Sequence, residues 1–100
     1  METQVLKGRV ALVTGGTTGI GFGAAECLIR EGAIVYITGR RQDVLNNAVA
    51  KLGTSARGIV ADASKKADML KVAEAIKNEQ GKLDILFQML AVVTQRHSQS

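Results

Sequence analysis

TGGTTGIGFGAA, residues 14–25, decides how this 100-residue chain is read. Gly15, Gly19 and Gly21 crowd the junction between an apolar, β-rich run, RVALVTG (9–15), and a stretch with helical spacing, GIGFGAAECLIREG (19–32). Glycines at such a turn permit positive φ and let the backbone approach a ligand closely. The helix N-terminus that follows offers unpaired N–H groups and the positive end of a dipole, which suits a phosphate. A glycine turn with no ligand is the competing reading of so short a motif. The place between strand and helix favours the ligand.

Outward from this loop the pattern alternates. The first helix carries Ala24, Ala25, Leu28 and Ile29 at helical spacing, with Gly32 as its C-terminal cap. AIVYITG (33–39) reads as a second strand. QDVLNNAVAKLG (42–53) places Val44, Leu45, Ala48, Val49 and Leu52 on one helical face and stops at Gly53. ARGIVADA (56–63) contains a third strand. SKKADMLKVAEAIKNEQG (64–81) sets Met69, Val72, Ala73 and Ile76 on one face, with Ser64 as N-cap and Gly81 as stop. KLDILF (82–87) is a fourth strand. Alternation of this kind implies parallel strands joined by helical crossovers, and the near-continuous apolar strands imply burial on both faces. The expected fold is α/β, a partial Rossmann sheet with strand order 3-2-1-4.

Composition narrows the class. An apolar fraction of 46% is that of a globular domain. No apolar run approaches the about 18 residues of a membrane span, and METQVLKGR lacks the basic-then-apolar layout of a secretory leader. The single cysteine fits a reducing compartment, so the cytoplasm is the expected location. The formal charge is +4, yet Lys51, Lys65, Lys66, Lys71, Lys77 and Lys82 sit on or beside predicted helices, interleaved with acids. With only two Phe and one Tyr there is no base-stacking platform, so neither nucleic acid nor membrane is expected as a partner.

The glycines do not form a P-loop, because no Gly-Lys-Ser/Thr follows them. Gly19, Gly21 and Ala24 fit the dinucleotide pattern GxGxxG/A, but in a register that begins well past the strand end. Counted from Gly15 the spacing is Gly-x-x-x-Gly-x-Gly. Written as TGxxxGIG, Thr14 to Gly21 resembles the short-chain dehydrogenase/reductase family, and the resemblance runs from about Lys7 to Phe87. It implies an enzyme that binds NAD(H) or NADP(H) on a Rossmann sheet and moves hydride to or from a carbonyl or alcohol. It also implies that Gly15, Thr17, Thr18, Gly19, Ile20 and Gly21 wrap the pyrophosphate and adenosine ribose.

Folds that prefer NAD carry an Asp or Glu about 20 residues past the glycines, on the ribose 2′-hydroxyl. Here ITGRRQ offers Gly39, Arg40 and Arg41 and no acid. A guanidinium is planar, permanently charged and able to give two parallel hydrogen bonds to a phosphate. NADP(H) is therefore the expected cofactor, with Arg40 the main contact to the 2′-phosphate and Arg41 and Thr17 or Thr18 assisting. A solvated arginine pair is the alternative. Asp62 in VADAS has two readings: the family's contact to the adenine amino group, with Ala63 lining the pocket, or a local turn cap.

Three residues only look chemical. Tyr36 and Arg40 mimic the family's Tyr-x-x-x-Lys, but that pair needs a helix, and on a strand four residues span roughly 13 Å. Tyr36 is expected as a core or sheet-face residue. His97, the only histidine, reads as a solvated tail residue, and Cys27 as a buried thiol. No metal site is expected.

The tail departs from the family. There the fourth strand runs on into Asn-Ala-Gly, and a Ser and a helical Tyr-x-x-x-Lys follow, the Tyr as general acid/base with its pKa lowered by the Lys. After Phe87 this chain reads QMLAVVTQRHSQS (88–100), with no later Tyr or Lys. With permissible codons for that stretch, one G restored after the Phe87 codon yields Phe-Ala-Asn-Ala-Gly, so a frameshift is the favoured reading. An alternative terminus, a splice variant or a deliberate truncation are the others. Residues 1–87 are then an NADP(H)-binding half-domain and 88–100 an aberrant tail, either extending the fourth strand or folding back as a short helix. The chain is expected to be inactive alone, lacking the catalytic residues. A carbonyl or alcohol substrate belongs to a full-length form, and an open sheet edge invites self-association. A non-catalytic nucleotide-binding or interaction fragment, or a product without function, is the alternative.

Overall fold

A computed structural model describes residues 5–15, 17 and 19–88. Seven elements alternate along the chain: β1 (Val10–Thr14), α1 (Gly19–Arg30), β2 (Ile34–Gly39), α2 (Gln42–Leu52), β3 (Ala56–Val60), α3 (Lys66–Gln80) and β4 (Ile85–Gln88). All pairings are parallel and the order is β3-β2-β1-β4, as the alternation predicts.

Period-two alternation sorts the strands onto two cores. Ala11, Val13, Val35 and Ile37 pack with Ala25 of α1 and with Leu45 and Ala48 of α2. Val10, Leu12 and Tyr36 face the other way and pack with Val72 and Ile76 of α3. Fully burying a side chain of this kind contributes about 1.5–3 kcal/mol. Every residue of β1 is buried. β3 departs from the expectation of two-sided burial: as an edge strand it buries Ala56 and leaves Arg57 and Val60 exposed. There α2 lies directly on the backbone, for a Cβ at Gly58 would stand 2.8 Å from Leu45 Cγ and 3.0 Å from Val49 Cγ2.

Of the local expectations one is met and two are not. Gly53 and Gly81 end α2 and α3 as expected, Gly81 in the left-handed region at φ 82° with its N–H donating to the Lys77 carbonyl. Ser64 is not the cap of α3. The helix begins at Lys66 with extended Lys65 before it, and the Ser64 N–H and Oγ–H both donate to Asp62 Oδ1. The Asp side chain thus captures the residue two positions on, and the helix starts beyond that turn. Cys27 is exposed rather than buried. It stands about 200° around the helix from inward-facing Ala25, on the solvent side. His97 and the tail from residue 89 onward lie outside the described residues.

Candidate functional site

The crevice lies at the carboxyl ends of the strands, where β1 has β2 and β3 on one side and β4 on the other. In open parallel sheets ligands bind at this switch of direction. β1 delivers the chain into the loop at Gly15, whose φ of 71° is closed to most side chains, and α1 opens at Gly19 with φ 62°. A Cβ at either would meet nothing within 4 Å, so both glycines border open space. No acid stands in the first turn of α1 to oppose an anion.

A cleft of about 350 Å³ is lined by Gly15, Thr17, Thr38, Gly39, Arg40, Ala61, Asp62, Ala63 and Ser64. A smaller one of about 190 Å³ adjoins it, lined by Thr17, Gly39, Arg40, Arg41 and Val44. Arg40 and Thr17 line both. Of the residues that the sequence singles out, Gly15, Thr17, Arg40, Asp62 and Ala63 therefore meet at one cleft and Arg41 at its neighbour. Gly19 lines a groove between α1 and α2 together with Thr17 and Phe22. Ile20 is exposed at the start of α1, and Gly21 is buried beneath it. Thr18 lies outside the described residues.

The two arginines differ in their surroundings. Arg41 Nη2 pairs with Asp43 Oδ2 at 3.2 Å. Arg40 forms no ion pair with a described residue. The Ser64 hydroxyl and backbone N–H hold the Asp62 carboxyl below the usual carboxylate range, with the charge of Arg40 acting in the same direction. Asp62 therefore does cap a local turn while also lining the cleft. Its own N–H donates to Asp68 Oδ2 at 2.8 Å. Asp62 is the one carboxylate among the described residues lining the main cleft.

Tyr36 and Arg40 are not partners. Tyr36 is buried under α3, where its hydroxyl donates to Glu79 Oε1 and accepts from Gln80 Nε2, whereas Arg40 is at the cleft. Two residues that the sequence reading gave no role are prominent. Thr38, buried at the end of β2, accepts the Gly15 N–H at its Oγ1 over 3.0 Å. At Gly39 a Cβ would stand 2.8 Å from Thr17 Cγ2. In the sequence Thr38 is only a small hydroxyl residue closing the run IVYIT, and nothing local names its partner. Among the described residues no cluster of His, Cys, Asp and Glu could hold a metal.

A parallel sheet of order β3-β2-β1-β4 with alternating helices, and with the glycine turn and Arg40 at one open cleft, defines a Rossmann-like α/β protein. The short chain dehydrogenase family model matches residues 9–99, and the chain belongs to that family of oxidoreductases, which use nicotinamide dinucleotides. The match runs on through the tail, past Phe87. The chain is 48% identical over 83 residues to an oxidoreductase of Sarocladium schorii, covering 83% of this chain and 33% of that protein. It is 43% identical over 88 residues to a peroxisomal 2,4-dienoyl-CoA reductase of Arabidopsis thaliana, covering 85% and 30%. It is 42% identical over 81 residues to an NADP-dependent (R)-specific alcohol dehydrogenase of Lentilactobacillus kefiri, covering 79% and 32%. The chain thus spans about a third of the length of these relatives.

Proposed function

We propose that these residues are the NADP(H)-binding part of a short-chain oxidoreductase. The carrying observation is the end of β2. Arg40 lines both clefts without an ion pair to a described residue, and position 39 has no room for a side chain while Thr17 stands against it. An acid aimed at a ribose 2′-hydroxyl is therefore absent where NAD-preferring folds carry one. A permanently charged guanidinium stands next to that position, suited to a 2′-phosphate. The similarity to an NADP-dependent alcohol dehydrogenase supports the same choice.

In this reading Gly15, Gly19 and the N-terminus of α1 take the pyrophosphate. Asp62 and Ala63 border the adenine, Arg40 takes the 2′-phosphate, and Arg41 assists. The dinucleotide, when bound, supplies or accepts hydride at its nicotinamide. The chain's own part is to bind and orient it. The Ser and Tyr-x-x-x-Lys through which the family handles the substrate proton have no counterpart in residues 1–100, so these residues bind cofactor without turning over a carbonyl or alcohol.

Titration of the chain with NADPH and NADH, followed by nicotinamide fluorescence, tests the assignment. Tighter NADPH is expected, and tighter NADH overturns it. Turnover of any carbonyl with NADPH would overturn the binding-only reading. A second reading, self-association along β4, is favoured by Leu86, which is 54% exposed on a strand paired only to β1 among the described residues. A concentration-independent monomer in size-exclusion chromatography removes it.

A further inference from the structure

The β1–β2 ladder runs in register from Val10↔Ile34 to Val13↔Ile37. Beyond it the chain turns away at Gly15, and the Gly15 N–H is taken up by the Thr38 hydroxyl, 1% exposed, at 3.0 Å. A side chain of β2 replaces the backbone carbonyl that a continuing strand would have supplied. The next residue of β2 makes a second contact. Thr17 Cγ2 occupies the volume of the missing Cβ at Gly39, which would lie only 2.8 Å away. Thr17 is β-branched and has few χ1 states, so an added Cβ at Gly39 forces either a change of its rotamer or a shift of the loop backbone.

We propose that Thr38 and Gly39 are positioning residues for the phosphate-facing glycine loop, Thr38 by holding the Gly15 amide and Gly39 by seating the Thr17 methyl. The proposal rests on the reading of the cleft as a dinucleotide site. Neither residue needs to touch the cofactor to set its affinity. Two consecutive residues of β2 hold the chain at Gly15 and at Thr17, so these two contacts are in place before a ligand arrives. Preorganisation of this kind raises affinity by removing the ordering cost from the binding step.

The experiment uses the full chain, ¹⁵N-labelled, with NADPH as probe and amide exchange at Gly15 as a readout that needs no ligand. Thr38→Val keeps the shape and removes the acceptor. It is expected to speed Gly15 exchange and to weaken NADPH about tenfold, the loss of one net hydrogen bond. Thr38→Ser restores the acceptor and both properties. Gly39→Ala is expected to shift the Gly15 and Thr17 amide resonances and to weaken NADPH by a similar factor. Thr17→Ser, which deletes Cγ2 and keeps the hydroxyl, recovers the Gly15 resonance and the affinity when added to Gly39→Ala. Unchanged Gly15 exchange in Thr38→Val, or failure of Thr17→Ser to rescue Gly39→Ala, overturns the proposal. Should Thr38→Val or Gly39→Ala not fold, the contact-preserving Thr38→Ser and Thr17→Ser/Gly39→Ala still decide it, since loss of protection or affinity in them overturns it. A wild-type chain that binds neither NADPH nor NADH refutes the cofactor reading instead, and the exchange and resonance data still judge the two positioning contacts.

Discussion

Asp84 and Val10 hold each other across the seam between β1 and β4. The Asp84 N–H donates to the Val10 carbonyl at 2.9 Å, and the Val10 N–H donates to Asp84 Oδ2 at 2.9 Å. The carboxylate thus satisfies a backbone donor at the start of β1 and fixes where β4 enters the sheet. That N–H bond is the main reason its pKa lies below the ordinary 3.8, with Lys82 and Arg9 contributing through charge. A group whose native pKa is depressed holds fewer protons in the folded state, so its contribution is fully present above the unfolded value. It is lost as pH falls through the native value. Urea unfolding from neutral pH down to about pH 2 should show wild type losing more stability than Asp84→Ala over the acid limb, the two curves converging. Parallel curves would show that the carboxylate does not stabilise the seam. High salt should change little at neutral pH if the N–H bond, rather than the exposed cations, dominates.

The contact of α2 with β3 gives a sharper steric test. Gly58→Ala would place a methyl 2.8 Å from Leu45 Cγ, and Leu45 is itself 1% exposed, with no freedom to withdraw. Overpacking of this type costs about 1–3 kcal/mol. Leu45→Ala leaves a cavity costing about 2–5 kcal/mol. The double variant should be less destabilised than the sum, because each change relieves the other. Additive values in urea unfolding would mean that α2 shifts freely over β3.

The sheet order was legible because strand and helix periodicities alternate without a break, and Gly53 and Gly81 punctuate two of the helices. The cleft was legible in part: Gly15, Arg40 and Asp62 belong to local motifs, so their spacing along the chain carries their role. Thr38 was not, because its partner is 23 residues away and the contact exists only once β2 lies beside β1. Ser64 was misread for a related reason. A serine before a helical run serves equally as N-cap or as donor to an Asp two residues back, and the neighbouring Asp62 decided it. Cys27 was misread because helix composition gives an average burial, while the face of α1 is set by Ala25, Leu28 and Ile29.

Tyr36 makes a buried polar contact that a pH series can isolate. Burial first, and then the hydrogen bond to Glu79, raise its pKa above the ordinary 10.0. The native state therefore retains its proton where the unfolded chain begins to lose it, and stability should fall as pH rises beyond about 10. Tyr36→Phe should remove that alkaline dependence. At neutral pH it should cost about 1 kcal/mol, since Glu79 loses a donor but can be rehydrated at the end of α3. A Phe variant that retains the alkaline loss would assign it to other groups.

The arginines at the end of β2 test the cofactor reading most directly, because they make different predictions. Arg40 lines both clefts and its guanidinium pairs with no described carboxylate, whereas that of Arg41 is engaged with Asp43 at 3.2 Å. Arg40→Ala should weaken NADPH by about tenfold or more, the scale of one charge-assisted phosphate contact, and leave NADH nearly unchanged. Arg41→Ala should have a smaller effect, because its charge is already shared with an acid. Both side chains are exposed and pack against no core, so neither change should lower the thermal midpoint. Added salt should narrow the gap between NADPH and NADH in wild type and not in Arg40→Ala. An Arg40→Ala chain that loses both dinucleotides equally would mean that Arg40 shapes the cleft, and the 2′-phosphate assignment would fall.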